Sequence, residues 1–158
     1  MPGILADSAR SSSESPLVCG MPVRNIPRTG KDPAPVGVLI VDDESLIRWS
    51  LAEMLSSHGY RVVEAGDGKS ALALLGDPFC QVDVVMLDYR LPDVNGLQLL
   101  AAIHGASPRS RVVLMTAYGT PEIAAEAVRL GAVCVVDKPM EMSDVADLVQ
   151  RARTAGHA

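Results

Sequence analysis

The sequence predicts an α/β fold in which a doubly wound parallel sheet carries helices on both faces. From residue 36 onwards, short apolar runs alternate with segments of helical periodicity, the pattern of repeated strand–helix units. Only 3% of the residues are aromatic, so the core consists mainly of Val, Leu, Ile, Ala and Met. These residues suit parallel strands that are buried on both faces. The chain of 158 residues, 48% of them apolar, is long enough for one core.

Five strand–helix units fit between residues 36 and 153. The predicted strands are Val36–Val41, Tyr60–Ala65, Val82–Asp88, Arg111–Thr116 and Ala132–Val136. The predicted helices are about Ser45–Ser57, Lys69–Leu75, Gly96–Gly105, Pro121–Leu130 and Met142–Arg153. Right-handed crossovers then bring the carboxyl ends of all five strands to one rim of the sheet.

Local signals mark where several of these helices begin and end. The first helix has apolar residues at Leu46, Trp49, Leu51, Met54 and Leu55. It ends at His58-Gly59, because glycine favours the end of a helix. Asp67 is predicted to cap the second helix. Thr120 is predicted to cap the fourth, which begins with Pro121.

The two ends of the chain are predicted to lie outside this fold. Residues 1–35 contain the serine-rich segment Ser11–Pro16 and several prolines, without a periodic pattern of useful length. They are interpreted as a disordered N-terminal tail. Residues 36–154 form the predicted domain, and residues 155–158 form a short C-terminal tail.

Composition argues against several classes of protein. The net charge of −5 and the scarcity of aromatic residues disfavour direct binding to DNA or RNA. No apolar run approaches the roughly 18 residues of a membrane helix, and the N-terminus does not resemble a secretory signal. Three scattered cysteines without a C-x-x-C pair argue against a disulfide framework or a zinc site, so a cytoplasmic location is expected.

Polar residues with phosphoryl-transfer chemistry end four of the predicted strands. Asp42 and Asp43 follow the first strand and Asp88 ends the third, whereas Thr116 ends the fourth and Lys138 follows the fifth. The gaps from Asp43 through Asp88 and Thr116 to Lys138 are 45, 28 and 22 positions. Each gap allows the chain to return to the same rim, where open α/β sheets bind their ligands.

Three carboxylates in one small site repel each other unless a cation is present, and Mg²⁺ suits carboxylates combined with a phosphoryl group. Asp88 is the candidate nucleophile for an aspartyl-phosphate. Lys138 and Thr116 can hold the phosphoryl oxygens. Each residue also has an ordinary interpretation: Asp42-Asp43-Glu44 as a helix start, Asp88 as a turn cap and Lys138 as a surface lysine. The joint spacing favours the site.

Residues 36–153 resemble the receiver domain of response regulators in two-component signalling, of the kind attached to nitrogen-regulation-type activators. The matching segments are Val41–Glu44, Leu87–Asp93, Met115–Gly119 and Asp137–Pro139. The resemblance implies a flavodoxin-like (βα)5 fold with strand order 2-1-3-4-5. It also implies a cis bond between Lys138 and Pro139.

The resemblance further implies a role for each residue of the site. Asp88 accepts phosphate from the phosphohistidine of a sensor histidine kinase or a histidine phosphotransfer protein. Asp43, Asp88 and the backbone carbonyl of Arg90 bind Mg²⁺ directly, and Asp42 helps through water. Thr116 and Lys138 hold the phosphoryl oxygens.

One position departs from the family pattern. Many receivers have an aromatic residue three positions before the lysine, where this chain has Val135. The usual relay from threonine to an aromatic ring is therefore absent. We expect phosphorylation to act on the helix 4 region through Thr116, with a smaller or different output at the face of helix 4, strand 5 and helix 5. Tyr118 is a candidate substitute.

Few residues follow Lys138-Pro139, so the chain is expected to be a stand-alone receiver that signals to a downstream effector protein. It is expected to be a phosphoacceptor with only self-phosphorylation and autodephosphorylation chemistry, not an enzyme in the ordinary sense. Two alternatives stay open: a non-phosphorylated interaction module, which Val135 favours, and a small hydrolase acting through an aspartyl-phosphate. The sequence leaves open whether phosphorylation drives homodimerisation.

Overall fold

The computed structural model describes residues 17–18, 21–22 and 34–155. Leu17–Val18 pairs with Met21–Pro22 as a two-residue antiparallel ladder. The predicted disordered tail over residues 1–35 and the short C-terminal tail over 155–158 otherwise lie outside the described residues. Both predictions therefore stay predictions.

The domain is built on a five-stranded parallel sheet. Its strands are β1 Gly37–Val41, β2 Arg61–Ala65, β3 Val84–Asp88, β4 Arg111–Thr116 and β5 Ala132–Asp137. They lie in the order β2-β1-β3-β4-β5. This is the predicted order 2-1-3-4-5, which is confirmed. The order places β1 and β3 side by side at the centre of the sheet.

Five helices connect and cover the strands. They are α1 Ser45–Ser57, α2 Gly68–Leu75, α3 Gly96–Ala106, α4 Pro121–Arg129 and α5 Met142–Thr154. The largest difference from the predicted bounds is at β3, which begins two residues later than predicted, at Val84. Asp83, just before the strand, contacts Gly37 through both its side chain and its backbone. Its carboxylate accepts a hydrogen bond from Gly37 N–H at 2.8 Å, and its own N–H donates to the Gly37 carbonyl at 2.8 Å.

The pleat of the sheet divides the core into two layers. One layer joins alternate strand residues such as Leu39 and Leu87 to α2, α3 and α4. The other layer joins the intervening residues, such as Ile40 and Met86, to α1 and α5. Because both faces are covered, the central strands are buried throughout, as their unbroken apolar runs predict. No described helix has both the length and the apolar character to span a bilayer.

Helix α1 exposes two of the apolar residues that mark it in the sequence. Leu51 and Leu55 are buried against the sheet, whereas Leu46 is 72% exposed and Trp49 is 54% exposed. The buried positions recur four residues apart, so they define the inner face of the helix. Leu46 and Trp49, three residues apart, lie on its solvent side.

Side-chain caps begin two helices as predicted, and Asp93 adds a further pair of hydrogen bonds at the start of α2. Asp67 accepts from Ser70 N–H at 2.7 Å, and Thr120 accepts from Ile123 N–H at 3.1 Å. In addition, Asp93 reaches from the loop after β3 to the start of α2. Its carboxylate oxygens accept from the N–H groups of Gly68 at 2.8 Å and Lys69 at 3.0 Å. The loop after β3 is therefore tied to α2.

Replacing Asp93 with alanine is expected to lower the free energy of unfolding by about 1–2 kcal/mol, because two N–H donors at the start of α2 lose a charged acceptor. Urea denaturation followed by circular dichroism measures this change. Asp147→Ala, on the exposed side of α5, is the control and is expected to have little effect. Equal stability of Asp93→Ala and the wild type would contradict the prediction.

Candidate functional site

A cleft of about 510 Å³ opens at the carboxyl ends of the strands. Its lining includes the sequence-predicted residues Asp43, Asp88, Arg90, Thr116 and Lys138. Asp42 lies against it, buried, as the partner of Lys138. The structure thus brings every predicted site residue to one place. The physical reason is the parallel topology, since each strand delivers its last side chains to the same rim.

The three carboxylates converge but differ in burial. One oxygen each from Asp42, Asp43 and Asp88 lie within 4.8 Å of one another. Asp42 is fully buried and Asp88 nearly so, whereas Asp43 is exposed. Asp43 therefore presents its carboxylate from the solvent side of the cluster.

Each polar group of Asp42 has a partner. Its Oδ1 accepts from Glu44 N–H at 2.9 Å, and its Oδ2 accepts from Lys138 Nζ at 2.8 Å. Its backbone N–H donates to the carbonyl of Ala65 at 3.1 Å, and its carbonyl accepts from Arg48 Nη1 at 2.6 Å. Asp42 is therefore fixed on all sides, whereas its neighbour Asp43 faces the cleft.

Lys138 provides the cation of the cluster. Its ammonium lies 2.8 Å from Asp42 Oδ2 and 3.4 Å from Asp88 Oδ1. Burial by itself would lower the pKa of Lys138, but the hydrogen bond and charge of Asp42, together with the charge of Asp88, outweigh it and raise the pKa. The Lys138–Pro139 bond is cis, as the resemblance implied, and Lys138 N–H donates to the carbonyl of Thr116 at 2.8 Å.

Asp88 has a raised pKa. The main cause is burial, which disfavours the charged form, and the negative charge of Asp42 adds to it. Lys138 and the Arg90 N–H, which lies 3.4 Å from Asp88 Oδ1, act in the opposite direction. Lys138 and Arg90 therefore only partly offset the effects of burial and of Asp42 on the charged form of Asp88.

Two loops form the mouth of the cleft. Thr116 is buried, and its hydroxyl accepts from Tyr118 N–H at 3.2 Å. The guanidinium of Arg90 lies 5.2 Å from the centre of the Tyr118 ring, which fits a cation–π contact. Tyr118 is 71% exposed.

Val135 is half-buried and packs with the core layer of α2, α3 and α4. The Tyr118 ring is thus exposed at the mouth of the cleft, whereas the Val135 side chain packs into the core.

Gly96 lets the chain turn tightly behind Asp88. A Cβ atom at this position would lie 2.6 Å from Tyr89 Cα, 2.7 Å from Tyr89 O and 3.0 Å from Asp88 O. All three are backbone atoms, which cannot move aside without shifting the end of β3. The smallest side chain is therefore required here.

Gly96→Ala is expected to destabilise the protein by about 1–3 kcal/mol through this overpacking and to slow any chemistry at Asp88. Gly105→Ala in the same helix is the matched control, because nothing lies within 4 Å of its added Cβ. The control is expected to keep or slightly raise the stability. Thermal unfolding of both variants measures the difference. Equal melting temperatures would show that the loop adapts to the methyl group.

Two residues of the site region are missing from the sequence-based prediction. Arg48 bonds the carbonyl of Asp42 from α1, and Asp93 fastens the loop after β3 to α2. Neither lies at a strand end, which is the signal that identifies the other residues. The position of Arg48 in the predicted first helix, six residues after Asp42, is compatible with this contact but does not specify it.

The donor set fits a magnesium ion. Of the three carboxylates of the cluster, Asp42 and Asp88 pair with the ammonium of Lys138, and Asp43 lies beside them. Oxygen ligands of this kind, in an open cleft with room for water, are what Mg²⁺ prefers. A divalent cation would also favour the charged form of Asp88, which burial and the charge of Asp42 disfavour.

Curated relatives share this sequence pattern. The chain is 38% identical over 115 residues to the regulatory protein AtoC of Escherichia coli, which covers 73% of this chain and 24% of AtoC. It is 32% identical over 114 residues to the sporulation initiation phosphotransferase F of Bacillus subtilis, covering 72% of this chain and 90% of the relative. The chain thus spans about a quarter of the length of AtoC and most of the length of the phosphotransferase.

Solved structures share the fold. A CheY-like response regulator receiver domain protein from Methanospirillum hungatei superposes with a TM-score of 0.72 at 26% identity, covering 76% of this chain and 94% of that one. A response regulator from Burkholderia pseudomallei, solved with a phosphorylated aspartic acid, calcium ion and citrate, gives a TM-score of 0.65 at 27% identity, covering 75% and 73%. The family model described as the response regulator receiver domain matches residues 38–150. With its parallel sheet and acidic cleft, the chain therefore belongs to the receiver domain family of response regulators.

Proposed function

We propose that Asp88 accepts a phosphoryl group from the phosphohistidine of a sensor histidine kinase or a histidine phosphotransfer protein, with Mg²⁺ as the required cofactor. The observation that carries the proposal is the position of Asp88 in the cleft. It ends a central strand, two further carboxylates lie beside it, and the Lys138 ammonium is 3.4 Å away. Membership of the receiver family supports the same chemistry.

The contacts of the acids favour a division of their roles. Both oxygens of Asp42 already accept hydrogen bonds, from Glu44 N–H and from Lys138. We therefore assign Asp43, Asp88 and the backbone carbonyl of Arg90 as direct ligands of Mg²⁺, with Asp42 acting through water. When bound, the metal supplies positive charge that neutralises the phosphoryl oxygens.

The transfer balances without a further reactant. A carboxylate oxygen of Asp88 attacks phosphorus, the P–N bond of the phosphohistidine breaks, and the departing imidazole keeps the electron pair and takes up a proton from water. Lys138, whose raised pKa keeps it charged, pairs with one phosphoryl oxygen, and the Thr116 hydroxyl donates a hydrogen bond to another. The product is an aspartyl-phosphate.

The output is proposed to arise at the face formed by α4, β5 and α5. Thr116 ends β4, and its carbonyl accepts from Lys138 N–H at the end of β5. Engagement of both residues by a phosphoryl group would therefore act on both strands and on the start of α4. A downstream effector protein is the proposed reader of this change. Action as a stand-alone receiver, a cytoplasmic location and phosphorylation-dependent dimerisation stay predictions.

Intact-mass measurement after incubation with acetyl phosphate tests the proposal. We expect a phosphoryl adduct when Mg²⁺ is present and none when a chelator is added. Rapid turnover of small phosphate esters without a lasting adduct would instead support a hydrolase. Absence of an adduct under all conditions would contradict the proposal.

The second candidate is an interaction module that works without phosphorylation. Val135 favours it, because this half-buried valine cannot supply the aromatic switch. Amide exchange distinguishes the two functions. Altered exchange in residues 116–130 on addition of beryllofluoride, a phosphoryl mimic, supports the phosphorylated switch, whereas unchanged exchange supports the module.

A further inference from the structure

Arg48 connects three elements beside the acidic cluster. It lies on α1, and its Nη1 donates to the carbonyl of Asp42 at 2.6 Å. Its Nε lies 3.4 Å from Glu64 Oε1, on β2. Both side chains of this ion pair are largely buried, with 22% and 24% exposed. One guanidinium therefore holds the end of β1 against the neighbouring strand.

The backbone after β2 leaves room for this guanidinium. Gly66 follows β2 directly, and a Cβ atom there would lie 3.2 Å from Arg48 Nη1. Such a distance is tighter than ordinary van der Waals contact, so the guanidinium would have to shift by a few tenths of an ångström. A methyl group at residue 66 would therefore disturb the contact between Arg48 and Asp42 slightly.

The carbonyl that Arg48 holds belongs to the peptide joining Asp42 to Asp43. Asp42 is buried and has partners for each polar group, whereas Asp43 is exposed. The orientation of the Asp43 backbone therefore depends on the peptide before it. We propose that Arg48 is a positioning residue, which orients the Asp42–Asp43 peptide so that Asp43 faces Asp88 for binding of the divalent cation. This inference rests on the proposed Mg²⁺ site.

Because Arg48 is positively charged, the direction of the change in Mg²⁺ affinity on its removal distinguishes two possible roles. If the guanidinium acted only as a nearby positive charge, its removal would make the cleft more negative and strengthen Mg²⁺ binding. If it positions Asp43, its removal weakens Mg²⁺ binding despite the gain in negative potential. The two roles therefore predict opposite changes in affinity.

The experiment is calorimetric titration of the full chain with MgCl₂. Arg48→Met, which keeps an unbranched apolar stem without the charge or the donors, is expected to weaken binding on the order of tenfold, as for other groups that orient metal ligands. Arg48→Lys is also expected to bind Mg²⁺ more weakly than the wild type, because an ammonium lacks the forked guanidinium that contacts both Asp42 and Glu64. Gly66→Ala, which keeps every charge, is expected to weaken binding to a smaller degree.

Arg129→Met is the matched control. Arg129 pairs with Glu126 on the exposed surface of α4, so its loss changes the net charge by the same amount without touching the cleft. A second measurement is amide exchange in the metal-free protein. We expect faster exchange at Asp43 and Glu44 in Arg48→Met, with unchanged exchange in β4, and no such change in the control.

The outcomes separate this inference from the proposed function. If the wild type takes up no Mg²⁺, the proposed metal site fails. If the wild type binds Mg²⁺ but Arg48→Met binds it equally or more tightly, the positioning role of Arg48 is wrong and the metal site stands. Weaker binding in Arg48→Met and Gly66→Ala, with normal binding in Arg129→Met, supports the inference.

Discussion

Replacing Asp88 with asparagine is expected to abolish phosphoryl uptake. The substitution keeps the size of the side chain but removes the carboxylate that attacks phosphorus. Intact mass after incubation with acetyl phosphate and Mg²⁺ should show no adduct. Asp147→Asn, exposed on α5, is the control and should be modified like the wild type. A lasting adduct on Asp88→Asn would mean that another residue accepts the phosphoryl group.

The same substitution is expected to raise the stability of the metal-free protein at neutral pH. Burial and the charge of Asp42 raise the pKa of Asp88 above its ordinary 3.8, so the ionised carboxylate destabilises the fold at higher pH. Replacing the carboxylate with a neutral amide removes this destabilising effect. The gain of Asp88→Asn over the wild type should shrink as the pH falls through the raised pKa of Asp88, and vanish below the ordinary value.

Thermal unfolding of both proteins across this pH range measures the gain. Added Mg²⁺ should stabilise the wild type more than Asp88→Asn, since the metal neutralises the charge that the variant lacks. If Asp88→Asn is less stable than the wild type at neutral pH, the ion pair of Asp88 with Lys138 stabilises the fold more than the burial of the Asp88 charge destabilises it.

Replacing Lys138 with methionine is expected to cause the largest loss of stability, about 3 kcal/mol in the absence of metal. The change removes the ammonium 2.8 Å from fully buried Asp42 and 3.4 Å from Asp88, leaving two buried carboxylates without their cation. Phosphoryl uptake is also expected to fall, because the charge that pairs with a phosphoryl oxygen is lost. Urea denaturation and intact mass measure the two effects.

Lys69→Met is the matched control, since Lys69 is exposed at the start of α2. Its stability and its phosphoryl uptake should stay close to those of the wild type. Mg²⁺ should narrow the stability difference between Lys138→Met and the wild type, because the divalent cation replaces part of the lost positive charge. A Lys138→Met protein as stable as the wild type without metal would show that Asp42 is neutralised by other means.

The sequence pattern by itself was sufficient for the five strand–helix units and for the residues at the rim, whereas the strand order came from the family resemblance. Strands and helices differ in the period of their apolar residues, and that period is a local property of the chain. The five units lie within two residues of their predicted bounds. Because parallel strands end at one edge, Asp43, Asp88, Thr116 and Lys138 could be grouped from their strand-end positions alone.

Only the tertiary structure decided which side chains reach across from one element to another. The apolar pattern of α1 does not reveal that Leu46 and Trp49 lie on the solvent side, since the inner face depends on how the helix packs. Nor does it reveal that Arg48 bonds the carbonyl of Asp42, or that Asp93 caps α2 across 25 residues of chain. These contacts depend on the separation of packed elements and on the exact direction of long side chains. Periodicity carries no information about either.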